Sequence, residues 1–162
     1  MIIIGLGANL PSPAGPPRAS CEAALDRLSQ LGAGAVRVSR FYRSRPVPAS
    51  DQPDFVNAVA ELATEMTPKT LLQTLLTVER QFGRVRGAPN AARTLDLDLL
   101  DFDGLIRTGN DLRLPHPRMT LRAFVLLPLA EIAPEWRHPQ SGRTAGQLLA
   151  RLDSEQVVVP IE

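Results

Sequence analysis

Residues 55–102, FVNAVAELATEMTPKTLLQTLLTVERQFGRVRGAPNAARTLDLDLLDF, change their hydrophobic period twice, and that change sets the architecture. Phe55 to Glu65 reads as a strand with Phe55, Asn57 and Val59 on one face. Thr67-Pro68 then opens a helix, because a threonine hydroxyl caps free N–H groups and proline suits the first helical position. Leu71, Leu72, Leu75, Leu76, Val78, Glu79 and Phe82 continue that helix to Gly83. A polar loop over 84–94 leads into a second strand, Leu95 to Phe102. Strand, helix and strand in this order form half of a split βαβ unit.

The other half lies upstream. Ile2 to Ile4 read as a buried strand ended by Gly5, and Gly7 to Pro17 as a loop. Cys21, Ala24, Leu25, Leu28 and Leu31 have helical spacing within 18–31, and alternation from Val36 predicts one strand to about Ser44. Downstream, Asp103-Gly104 reads as a turn with Leu105 and Ile106 as a short hairpin partner. A helix over 121–133 is expected to break or kink at Pro128, followed by a helix over 144–152 and a strand over 156–159. The order β-α-β-β-α-β predicts an α+β fold: a ferredoxin-like split βαβ antiparallel sheet. The C-terminal helices on its second face make three layers, α/β/α. No repeat or linker divides residues 1–162, so one domain is expected.

Composition narrows the chemistry. Lys+Arg 18 against Asp+Glu 17 gives +1, which argues against nucleic-acid or membrane-surface binding, and aromatic residues are only 4%. The sole lysine is Lys69, so the chain has no phosphate loop of the Gly-Lys-Ser/Thr type. The one cysteine, Cys21, reads as a small buried hydrophobe, and two histidines cannot form a His-rich metal site. Without an apolar run near ~18 residues or a basic leader, a soluble cytoplasmic monomer is expected.

Four arginines (Arg80, Arg84, Arg86, Arg93) precede the Leu-Asp-Leu-Asp strand. Period-two geometry puts Asp96 and Asp98 on one face, Cα atoms roughly 6–7 Å apart, and Leu95, Leu97 and Leu99 on the other. Adjacent carboxylates repel unless a cation joins them, and oxygen donors suit Mg²⁺. The same triplet also serves as a solvated acidic edge. Beside it, arginine forks that match phosphate oxygens favour phosphoryl transfer. Arg80, on the helix face, reads as structural. Phe55 and Asn57 are placed to stack on and hydrogen-bond a flat heterocycle, or to serve as core and turn cap. His116, held between two prolines, reads either as structural or as a site residue.

In order along the chain stand GLGANL (5–10), FYRS (41–44), DQPDFVNAV (51–59), GRVR (83–86), RTLDLDLL (93–100) and LPHPR-x-x-x-R-x-FVL-x-PL-x-EIAP (114–134). This pattern resembles 6-hydroxymethyl-7,8-dihydropterin pyrophosphokinases from end to end. The resemblance implies transfer of the intact diphosphate of ATP to the pterin hydroxymethyl group, releasing AMP. It implies two Mg²⁺ on Asp96 and Asp98, with Glu79, Arg84, Arg93, His116 and Arg122 on ATP. It also implies Phe55 and Phe124 around the pterin ring, and Asn57 with Ser44, Arg45 and Val47 on its polar edge. Arg84, Arg93, Asp96 and Asp98 would carry catalysis.

One departure stands out. The family's Arg-Trp-x-Pro-Arg is replaced here by Pro89-Asn90-Ala91-Ala92-Arg93, one residue shorter, so the loop is expected to close less well, with Arg86 as a substitute and slower turnover. Pro117 also stands where relatives often have an aromatic. Two other readings use the same residues: a different Mg²⁺-dependent phospho- or nucleotidyltransferase, and a non-catalytic ligand-binding module.

Overall fold

The β-branched run at the start of the chain forms the middle of a sheet. In chain order the elements are β1 (Ile2–Ala8), α1 (Pro17–Gln30), β2 (Gly34–Val38), β3 (Tyr42–Ser44), β4 (Phe55–Ala63) and α2 (Pro68–Gln81). They continue with β5 (Asp96–Phe102), β6 (Arg107–Thr108), β7 (Arg113–Leu114), a 3-10 turn (Met119–Leu121), α3 (Ala123–Ile132), α4 (Ala145–Ala150) and β8 (Val158–Pro160). This is a computed structural model, describing residues 1–85, 87, 91–153 and 155–161. Arg86, Pro89 and Asn90, on which the expectations about loop closure rest, lie outside the described residues.

The sheet runs β5-β1-β4-β3-β8, with β2 sharing the far edge of β4, and its pairings are antiparallel. Helices cover both faces, as the element order predicts. On one face α1 and α2 bury Ala24, Leu28, Leu71 and Leu75 against Ile4, Leu6, Ala60 and Leu97. On the other, α3 and α4 bury Leu126, Leu129 and Leu148 against Ile3, Val59 and Leu100. Each fully buried aliphatic side chain contributes about 1.5–3 kcal/mol, so the alternation along β1 and β4 stabilises both layers at once. Thr67 caps α2 through its hydroxyl, which accepts the Thr70 N–H at 3.2 Å. Cys21 is buried, and burial pushes its thiol up to about 12, as a structural cysteine requires.

Several boundaries differ from expectation. β1 continues through Gly5 to Ala8 because both its edges stay paired, with β4 as far as Ala8 and with β5 as far as Gly7. The strand expected from Val36 to Ser44 is two strands. Between them Ser39 replaces a ladder step, donating its N–H to the Val59 carbonyl at 2.9 Å and accepting the Val59 N–H on its hydroxyl at 3.0 Å. Leu105 and Ile106 do not pair with β5, because the His116 N–H takes the Leu100 carbonyl on that edge at 2.9 Å. The hairpin forms later, between β6 and β7. α3 runs unbroken past Pro128, which deletes a single helical donor. β8 begins at Val158, because the side chain of Gln156 is bound to α3 and the 3-10 turn.

Candidate active site

β5 is an edge strand, and its edge is where the site is assembled. With Leu95, Leu97 and Leu99 buried beneath α2, Asp96 and Asp98 emerge on the opposite side with Phe55 and Asn57 of β4. Two cavities meet there. The smaller, about 330 Å³, is lined by Ser44, Arg45, Val47, Phe55, Asn57 and Phe124 among others. The larger, about 500 Å³, contains Glu79, Arg84, Asp98 and His116, with an apolar flank from Leu72, Leu76, Leu99 and Leu112. Arg93, Asp96, Arg118 and Arg122 line both and form the wall between them. Every described residue that the sequence reading assigned to catalysis or to metal, ATP or pterin binding therefore borders one cavity or both.

Ion pairs hold the wall together. Arg84 Nη1 donates to Asp96 Oδ1 at 2.5 Å and to Glu79 Oε2 at 2.8 Å. Arg93 Nη1 donates to Asp96 Oδ2 at 3.0 Å, and Arg122 Nη1 stands 3.6 Å from Asp98 Oδ2. The same two arginines lie over the aromatic rings of the smaller cavity: Arg93 is 6.0 Å from the Phe55 centroid and Arg122 is 5.5 Å from that of Phe124. Charge on one side and ring faces on the other thus share their side chains.

Burial sets the protonation states. Burial first, then repulsion from Asp96, pushes the Asp98 carboxyl up to about 7, against the pull of Arg122, Arg93 and Arg84. Burial also raises Glu79 to about 7, opposed first by the Leu97 N–H, which donates to Oε2 at 2.7 Å. Glu79 thereby ties α2, β5 and Arg84 into one unit. Burial and then the Arg122 charge lower His116 to about 4, so its imidazole is neutral at pH 7. Its Nδ1 accepts the Arg118 N–H at 3.1 Å, which leaves the proton on Nε2 as the free donor.

In the smaller cavity Ser44 Oγ donates to Asn57 Oδ1 at 2.5 Å, so the amide is oriented before any ligand arrives. Gly7, paired with Asn57 across β1 and β4, comes close to it: a Cβ there would lie 3.0 Å from Asn57 Nδ2.

The sequence reading assigned no role to several residues that shape the site. Asn9 is buried and joins both sides. Its Oδ1 accepts the Arg93 N–H at 2.8 Å, and its Nδ2 donates to Gln52 Oε1 and the Pro53 carbonyl, each at 3.1 Å. Gln156 grips the backbone on either side of Arg122, accepting the Ala123 N–H and donating to the Leu121 carbonyl, both at 2.9 Å. The signals for Asn9 and Arg118 were their places inside GLGANL and LPHPR. Gln156 carries no signal, because its partners are about 35 residues away in the chain. Among the described residues no group of three or more His, Cys, Asp or Glu could hold a metal by itself. None of their helices is long and apolar enough to cross a membrane.

Residues 3–134 match the family model described as 7,8-dihydro-6-hydroxymethylpterin-pyrophosphokinase. Among curated proteins, the chain is 41% identical over 156 residues to a 2-amino-4-hydroxy-6-hydroxymethyldihydropteridine pyrophosphokinase of Synechocystis, covering 96% of this chain and 77% of that one. It is 42% identical over 157 residues to the protein of the same name from Pseudomonas aeruginosa, covering 96% and 94%. Among solved structures, a Plasmodium falciparum HPPK-DHPS bound to pterin and p-hydroxybenzoate superposes with TM-score 0.71 at 13% identity, covering 93% of this chain. The present chain spans 43% of that longer one, and the likeness concerns the fold. Matched across 132 consecutive positions and by relatives above 40% identity over 96% of its length, the chain belongs to the 7,8-dihydro-6-hydroxymethylpterin-pyrophosphokinase family.

Proposed function

We infer that the protein, as a single domain, transfers the diphosphate of ATP to the hydroxymethyl group of 6-hydroxymethyl-7,8-dihydropterin, a step of folate biosynthesis. The observation that carries this reading is the pair of cavities joined at an arginine- and aspartate-lined wall. One is flanked by aromatic rings and an oriented amide, the other by leucines and phosphate-matching cations. Phe55 and Phe124 stack on the pterin, and Asn57 with the segment from Ser44 through Arg45 to Val47 reads its polar edge. Glu79, Arg84, Arg93, His116 and Arg122 serve the nucleotide side, with Glu79 acting through Arg84.

Asp96 and Asp98 fit Mg²⁺: the donors are oxygens, and two carboxylates leave coordination positions for phosphate and water. Bound there, Mg²⁺ would neutralise charge on the phosphates. The hydroxymethyl oxygen attacks the β-phosphorus, and the bond from that phosphorus to the oxygen shared with the α-phosphate breaks. AMP departs with the bonding pair, and the hydroxyl proton passes to solvent. No covalent nucleophile is needed, so positioning and electrostatics supply the rate. Neutral His116 contributes an N–H donor without adding a charge. We infer a monomer that acts on small molecules.

The test is to incubate the protein with MgATP and the pterin and identify products by mass. AMP with pterin diphosphate is expected. ADP, released pyrophosphate, or ATP use independent of pterin refutes the reading in favour of another transferase, and absence of turnover refutes enzymatic activity.

A further inference from the structure

We propose that Arg118 is a further catalytic residue, whose guanidinium accompanies the diphosphate as it passes from the nucleotide cavity to the pterin cavity. The inference rests on the pyrophosphokinase reading. The transferred group starts in one cavity and finishes in the other, so a side chain that engages it during the crossing and in the product must face both. Among the described residues four side chains do: Arg93, Asp96, Arg118 and Arg122. Arg93 is paired with Asp96 and Arg122 with Asp98. Arg118, by contrast, makes no ion pair or side-chain hydrogen bond among the described residues, and its side chain is exposed to the cavity space.

Its backbone is held firmly. The Arg118 N–H donates to His116 Nδ1, the residue precedes the 3-10 turn, and Met119 beside it is fully buried in the second core layer. The arrangement is an uncommitted cation on a fixed base. Its charge already reaches the neighbouring imidazole, where it helps to keep His116 neutral. A free guanidinium can form two parallel charge-assisted bonds to a diphosphate without first giving up a carboxylate. Binding that strengthens as the group crosses lowers the barrier, whereas equal binding before and after does not. Sequence spacing placed Arg118 in a motif but gave no reason to separate it from its paired neighbours.

The experiment compares the unsubstituted protein with Arg118→Ala and Arg118→Lys. Single-turnover rates are measured at saturating MgATP and pterin. Equilibrium affinities are measured separately for a Mg²⁺-bound non-hydrolysable ATP analogue, for the pterin, and for the pterin diphosphate. The expected result for Arg118→Ala is a rate lower by about 30-fold or more, since loss of one preorganised donor to the reacting group typically costs this much or beyond. Affinities for the analogue and the pterin alone stay within about 3-fold, while the pterin diphosphate binds about 10-fold more weakly. Arg118→Lys restores product affinity in part but not the rate, because an ammonium lacks the fork. A rate within about 2-fold of the unsubstituted protein overturns the proposal, as does an affinity loss for the analogue equal to the rate loss. If the unsubstituted protein forms no AMP, the pyrophosphokinase reading itself falls; normal AMP formation with an unaffected Arg118→Ala removes only this inference.

Discussion

Gly7→Ala probes the smaller cavity through one atom. Gly7 lies opposite Asn57 across β1 and β4 and opposite Asp96 across β1 and β5. A Cβ would stand 3.0 Å from Asn57 Nδ2, inside ordinary contact, so the amide has to move. It has little freedom, since Asn57 is 5% exposed and its Oδ1 is held by Ser44 Oγ at 2.5 Å. Displacing it weakens one buried hydrogen bond, worth about 1–3 kcal/mol. Replacing glycine within a strand returns roughly 0.5–1 kcal/mol, so net destabilisation is at most about 2.5 kcal/mol and the protein stays folded. The pterin, in contrast, loses an aligned amide and binds more weakly by about 1–3 kcal/mol, roughly 5- to 150-fold. Gly7 does not line the larger cavity, so nucleotide affinity holds within about 2-fold. Titration calorimetry with the pterin and with a Mg²⁺-bound ATP analogue separates the two effects, with a thermal melt reporting the fold. Unchanged pterin affinity, or equal losses for both ligands, refutes the reasoning.

Other perturbations address the remaining contacts. Gln156→Ala frees the backbone on both sides of Arg122 and is expected to lower turnover by about 5- to 20-fold in steady-state assays, with melting little changed because one of its bonds is exposed and the other only partly buried. Asn9→Ala removes three hydrogen bonds of a buried amide and should destabilise the protein by about 2–4 kcal/mol in urea denaturation while raising the KM for both substrates. Asp98→Asn is expected to abolish turnover and Mg²⁺-dependent nucleotide binding while raising the melting temperature of the metal-free protein above pH 7, because a half-buried carboxyl with a raised pKa opposes folding once ionised. His116, lowered from 6.5 to about 4, contributes stability that is complete above pH 6.5 and lost as pH falls through 4; His116→Gln should flatten that limb of the melting profile.

Much of the fold was legible because its signals are local. The Thr67-Pro68 start, the leucine spacing of α2, and the alternation of Leu95, Leu97 and Leu99 with Asp96 and Asp98 depend on residues within a few positions of each other. Family membership followed from motifs of the same local kind. Boundaries failed where a distant group intervened: Ser39 takes over a ladder position opposite Val59, and His116 occupies the β5 edge that Leu105 and Ile106 were expected to pair with.

Which side chains could meet a phosphate or a flat ring follows from residue type and strand period, since these fix both chemistry and face. How those side chains are shared is a property of the folded chain. It paired Arg93 and Arg122 with the two aspartates and set them over the two phenylalanines, while leaving Arg118 without an ion pair among the described residues. It also placed Asn9 and Gln156 as braces behind them. Ion pairing and burial depend on distances through space between segments far apart in the chain, and no local pattern encodes those distances.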